Sequence, residues 1–146
     1  MLIDLLQDEE FAAILRNHAL DLIAYLFEKD QEFGVVADVG SITFDPPLPP
    51  NIAGALQEFS LFVLTEYTFE TARLEDGRLV FEAGFGPENF GSVVSIPVEA
   101  ILQIIVDETP IFVNLTASLK QKRPYKDSME AFLSNPENKK LLRKKK

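Results

Sequence analysis

Apolar positions follow helical spacing at the start of the chain and strand spacing after it. From about Met1 to Lys29 there is no proline or glycine, and Leu, Ala, Ile and Glu dominate, which predicts a helix. Asp8, Glu9 and Glu10 suit the first turn of a helix, where the backbone dipole favours negative charge. One apolar stripe of about 100° seats a helix on a core, and Leu15, Leu22, Ile23 and Leu26 form such a stripe. Phe11, Ile14, Leu20 and Phe27 fall outside it. Either the helix is deeply buried, or its second face, with Phe11, Leu20 and Phe27, meets a second copy of the chain.

From Phe33 onward the period becomes strand-like. Val35–Val39 and Ile42–Phe44 are short strands in this reading, with Gly40 between them. Asp45-Pro-Pro-Leu-Pro-Pro50 is a rigid connector or sheet edge, because prolines supply no amide hydrogen and restrict the preceding residue. Ser60–Leu74 alternates, with Leu61, Val63, Thr65, Tyr67 and Phe69 on one face. Asp76-Gly77 is the strongest hairpin signal, since both central residues of a type I′ turn need positive φ. Arg78–Phe85 returns from it. Gly84, Gly86, Pro87 and Gly91 form a loop around Asn89, and Val93–Ile96 is another short strand. Pro97 suits the first turn of a helix spanning Pro97–Val106, and Ile111–Leu115 is a last strand. Short strands with tight turns, a long N-terminal helix and a short second helix suggest a mainly β fold with some α, a small curved sheet or partial barrel.

The chain has 146 residues, 47% of them hydrophobic and 25% charged, which suits one domain with a tail. It has no cysteine, which excludes disulfides, thiol catalysis and Cys-ligated zinc. His18 is the single histidine, so a His-rich metal site is excluded, and its apolar helical setting makes it a structural or interface residue. No apolar run reaches the ~18–20 residues of a membrane span. Nor does the start have the basic flank and cleavage site of a signal peptide. A cytoplasmic, soluble protein is expected.

Charge divides the chain near Leu119. Residues 120–146 carry ten bases against three acids, a formal +7, with Pro124 and Pro136 and few core-forming residues. Residues 1–119 carry four bases against twenty acids, −16, which together with the tail gives the net −9. The expected organisation is a domain over 1–119 and a basic tail over 120–146. A body at −16 repels phosphate backbones, so nucleic-acid binding is plausible only at the tail. No spacing of acids singles out a catalytic pair, Gly84-Phe85-Gly86 lacks the lysine and following helix of a phosphate loop, and nothing resembles a cofactor site. These observations point to a binding protein with no catalytic residues, no metal and no cofactor.

Phe81-Glu-Ala-Gly-Phe-Gly86, followed after a loop by Val94-Ser-Ile-Pro-Val-Glu-Ala-Ile-Leu-Gln-Ile104, resembles the stringent starvation protein B (SspB) family. That family comprises adaptors that deliver tagged proteins to the ClpXP protease. The N-terminal helix and the Val35–Val39 strand agree in order, and the resemblance covers about residues 15–110. It implies an open SH3-like or Sm-like barrel preceded by the helix, which makes a homodimer. It also implies a groove for an unstructured peptide such as the ssrA degradation tag, gripped by main-chain hydrogen bonds and small apolar pockets. In the family the alanine of this motif lies at the groove and matches Ala83. The expected groove residues are Ala83, Phe85, Gly86, Val94 and Ser95. Ala83, Gly84 and Gly86 are small residues that let a peptide backbone approach, and Phe81 and Phe85 can wall a pocket. Alternatively, Phe81, Ala83 and Phe85 are alternate core residues of a hairpin, and the glycines only turn the chain. The family's tail ends in a mixed apolar and basic segment that docks on ClpX. Leu141, Leu142 and Arg143, before the terminal lysines, end this chain similarly. The competing function is a binding module whose basic tail contacts RNA or another polyanion.

Overall fold

A computed structural model describes residues 1–117; residues 118–146, and with them the proposed docking tail and the whole basic segment 120–146, lie outside the described residues. The architecture is mixed α/β: an N-terminal helix and two antiparallel four-stranded sheets. The expected barrel closure is not formed among the described residues. The strand orders are β3-β1-β7-β8 and β2-β6-β5-β4, and no ladder joins one sheet to the other.

The expected single N-terminal helix is two. α1 spans Leu2–Leu6, and α2 spans Glu9–Glu28. Asp8 separates them because its backbone is extended (φ −76°, ψ 122°) and its carboxylate accepts the Glu10 N–H at 3.0 Å. An N-cap aspartate satisfies an otherwise orphaned donor, and Glu9 and Glu10 then fall in the first turn. Ala19, Ile23 and Leu26, at i, i+4 and i+7, are the buried stripe.

β1 (Phe33–Asp38) is one of two inner strands of the first sheet, pairing with β3 (Phe59–Leu64) on one side and with the other inner strand, β7 (Ile101–Val106), on the other. β8 (Thr109–Val113) completes that sheet. In the second sheet β2 (Thr43–Asp45) and β4 (Arg73–Glu75) are edges around β5 (Arg78–Phe85) and β6 (Phe90–Pro97). Asp76 and Gly77 take φ of 49° and 74°, as the hairpin signal requires. The proline segment leaves the edge strand β2 through a cis Asp45–Pro46 bond and ends in a four-residue helix, α3 (Pro50–Ala53). The inner faces meet in one core, where Phe62 of the first sheet lies 6.2 Å from Phe81 and 6.5 Å from Phe85 of the second.

Two segments depart from their expected secondary structure. Pro97–Val106 is not a helix: Pro97 ends β6, Val98–Ala100 make a single 3₁₀ turn, and β7 follows. Val98, Ile101 and Ile104 are all buried, a spacing of three that imitates a helix face. The 3₁₀ turn sets the step from Val98 to Ile101, and a β-bulge sets the step from Ile101 to Ile104. Val36 pairs with Gln103 but Ala37 with Ile101, so Leu102 is an extra residue that resets the alternation. Asp107 and Glu108, both at positive φ, then turn the chain into β8.

Ser60–Leu74 is not one strand either. β3 ends at Leu64, opposite Phe33 where β1 begins, so no partner extends further. Glu66, at φ 51°, starts α4 (Glu66–Thr71), and its N–H donates to Glu32 Oε2 at 2.7 Å. The helix turns Phe69 inward against Phe27 (5.8 Å) and Phe33 (6.3 Å). The buried face of β3 is Phe62 and Leu64, while Leu61 and Val63 face outward.

Candidate functional site

The outer face of the second sheet holds an open groove of ≈ 370 Å³. Register builds it row by row. Asp45 on β2, Val93 on β6 and Glu82 on β5 lie in one cross-strand row. The next row is Gly91 opposite Gly84, where the sheet shows backbone instead of side chain. Three elements wall this floor. Pro46 stands at one side, and Tyr67 of α4 at the other, its hydroxyl donating to Glu82 Oε1 at 2.8 Å. Asn89, in the turn between β5 and β6, closes one end. Its side chain lies over Gly84 so closely that a Cβ there would sit 1.7 Å from Asn89 Oδ1.

Local hydrogen bonds hold the walls. Ser92, buried beneath the groove, donates its hydroxyl to the Pro46 carbonyl at 3.0 Å and ties the proline connector to β6. Thr71 Oγ1 accepts the Glu82 N–H at 2.9 Å, and α4 is thereby anchored to β5 just past the end of β4. Asn89 N–H donates to the Gly86 carbonyl at 3.0 Å, and Gly86 and Asn89 both take positive φ, which glycine and asparagine tolerate best.

Electrostatically the groove is negative. Asp45 and Glu82 have no ion-pair partner among the described residues. Arg78, on the same sheet face, is committed elsewhere: its Nε donates to Ser95 Oγ at 2.6 Å and its Nη2 to the Ser95 carbonyl at 3.1 Å. The carboxylate of Glu82, by accepting from the phenol and by its charge, raises the Tyr67 pKa above 10.0.

The five expected groove residues are largely separated from this floor. Ala83 borders the groove, but it also packs against the core with Phe85. Phe85 stacks edge-on with Phe44 at 5.7 Å inside the protein. Val94 is fully buried between the sheets and is corrected to a core residue. Ser95 lies on the outer face one row away and is occupied by Arg78. Gly86 sits in the turn, where an added Cβ would meet Ile52 at 3.1 Å. The reading of Phe81, Ala83 and Phe85 as successive core residues therefore matches their packing. Gly84, expected as a small residue at the groove, does line it, whereas Glu82, Gly91 and Val93 were missed, although strict alternation on Arg78–Phe85 already sets Glu82 with Gly84 opposite Phe81 and Phe85.

The second apolar face of α2 is also mostly consumed internally. Leu20 and Phe27 pack against the core, with Phe27 also 5.6 Å from Phe33, and Phe11 is half-buried. The large apolar residues left exposed on α1 and α2 are Leu2, Leu5, Ile14 and Tyr25. His18 is exposed and its ring meets Phe112 edge-on at 5.0 Å, a structural contact. No helix among the described residues is long and apolar enough to cross a membrane. No family model matches the chain, and no curated protein matches it.

Proposed function

We propose that this protein is a non-enzymatic adaptor that holds an extended degradation tag of the ssrA type in the groove of its second sheet and tethers the tagged chain to the ClpXP unfoldase. The observation that carries this reading is the bare floor at Gly91, where an added Cβ would meet no atom within 4 Å, beside Gly84 under the Asn89 side chain. Exposed backbone without side chains lets a second backbone approach closely, and the volume falls in the ordinary range for ligand sites, ~300–1,000 Å³. The resemblance around Phe81–Gly86 and Val94–Ile104 supports the family assignment and supplies the tag and the protease as partners. Tethering raises the local concentration of substrate and requires no chemistry of its own.

In this reading the chain is a homodimer, and Leu2, Leu5 and Ile14 replace Leu20 and Phe27 as its contact residues. Leu141, Leu142 and Arg143 dock on the unfoldase. Fluorescence anisotropy with a labelled ssrA-type peptide tests the binding half. Deletion of residues 139–146 tests the tether: peptide binding persists while delivery of a tagged substrate collapses. A chain that ignores the peptide is not this adaptor. One that delivers equally well without residues 139–146 does not tether through its end.

A further inference from the structure

Among the rows of the groove, one has a composition that selects a ligand. Asp45 and Glu82 lie on the two strands flanking β6, with Val93 between them on the same face. Adjacent strands are 4.7–4.9 Å apart, so the two carboxylate-bearing backbones are separated by about 9.5 Å. That gap suits one extended cationic side chain: its methylenes cover the Val93 side chain and its charged head reaches the flanking carboxylates. Tyr67 positions one of these by donating to Glu82 Oε1, and Glu82 Oε2 has no hydrogen-bond partner among the described residues. The Tyr67 ring beside it adds an aromatic surface of the kind that attracts cations.

The surroundings leave this demand unmet by the protein itself. The described residues contain four basic side chains: Arg16, Lys29, Arg73 and Arg78. None lines the groove. Arg73 pairs with Glu75 at 2.9 Å, and Arg78 is held by Ser95. We propose that the row Asp45–Val93–Glu82 is a subsite for one Lys or Arg side chain of the bound peptide, which lies with its backbone over Gly91. The inference rests on the peptide-groove reading and adds the class of peptide: segments with a basic residue are preferred, and segments that place a carboxylate here are rejected.

The test uses the full chain and three labelled alanine-rich peptides, identical except for one central Lys, Ala or Glu. At low salt the Lys peptide binds about tenfold tighter than the Ala peptide, and the Glu peptide binds weakest. The preference shrinks as salt rises, because exposed charges are screened beyond about 8–10 Å near physiological ionic strength. Asp45→Asn with Glu82→Gln removes both charges and keeps an acceptor for Tyr67. In that variant the preference for Lys and the penalty for Glu both disappear, and the three affinities converge. Equal binding of all three peptides to the wild type, with loss in Gly91→Leu, keeps the groove and overturns the subsite. A Lys preference that survives the double substitution also overturns it. If none of the three binds while the ssrA-type peptide does, the subsite falls and the groove stands; if that peptide fails as well, the peptide-groove reading falls, and the subsite with it.

Discussion

Gly91→Leu separates the groove from the fold. Gly91 points outward from β6, opposite Gly84, and a Cβ built on it meets no atom within 4 Å. Its φ lies outside the left-handed region, so a side chain is not strained there. Replacing a strand glycine removes unfolded-state freedom worth roughly 0.5–1 kcal/mol, and a single exposed leucine is ordinary on a protein surface. Stability therefore stays level or rises slightly. About 1 kcal/mol corresponds to a Tm shift of roughly 2–8 °C for domains near this size. The effect on binding is far larger. A leucine projecting from the floor keeps a peptide backbone from its main-chain partners, and two to four hydrogen bonds at about 0.5–1.5 kcal/mol each amount to ~1–6 kcal/mol. That is at least a several-fold and up to more than a thousand-fold loss in affinity. Anisotropy and a thermal melt on the same preparation read both quantities. Wild-type affinity in a variant of unchanged Tm would show that the peptide does not cross Gly91, and the groove reading would be wrong.

Phe27→Ala removes a ring packed on Phe33 and Phe69; a loss of roughly 2–4 kcal/mol in urea unfolding is expected, and a near-zero loss would return Phe27 to an intermolecular role. Asp107→Asn with Glu108→Gly places residues that favour positive φ in the β7–β8 turn, and should raise the urea midpoint by an amount equivalent to about 1 kcal/mol, a result that an unchanged midpoint contradicts. The Tyr67 phenol titrates above 10.0, so its contact with Glu82 favours the folded state below that pH and is lost as pH rises through the folded value. Ultraviolet titration of Glu82→Gln should show one tyrosine ionising earlier than in the wild type, and identical curves would refute the contact. Light scattering at micromolar concentration checks the homodimer, with Leu5→Glu and Ile14→Glu expected to give monomer mass; a monomeric wild type ends that proposal.

Local signals were legible where local geometry decides. α2 needed only a stretch free of glycine and proline with a capping acid, although the aspartate also cut off α1. The Asp76-Gly77 turn needed only two residues that accept positive φ. The groove was harder to see. Phe81, Ala83 and Phe85 drew notice as a motif, yet alternation turns Phe81 and Phe85 inward and sets Glu82 and Gly84 on the outer face. The Pro97–Val106 reading failed because a 3₁₀ turn at Val98–Ala100 and a one-residue bulge at Leu102 together produce the spacing of a helix. In Ser60–Leu74, apolar alternation continues through Phe69, and only the end of β1 as a partner shows why the strand stops at Leu64.

What the amino-acid order determined by itself is what depends on neighbours within a few residues: the second helix, the hairpin turn, the stiff proline connector, and the division between an acidic body and a basic end. Tertiary structure alone decided which carboxylates share a site. Asp45 is far in the chain from Glu82 and Val93, which face each other on consecutive strands, and strand register sets all three in one row. A shift of one residue in that register would turn Glu82 and Val93 into the core and Phe81 and Val94 out to solvent. Burial of Phe81, Val94 and Ile96 between the sheets forbids that shift, so packing on the inner face determines the charges and bare backbone presented on the outer one.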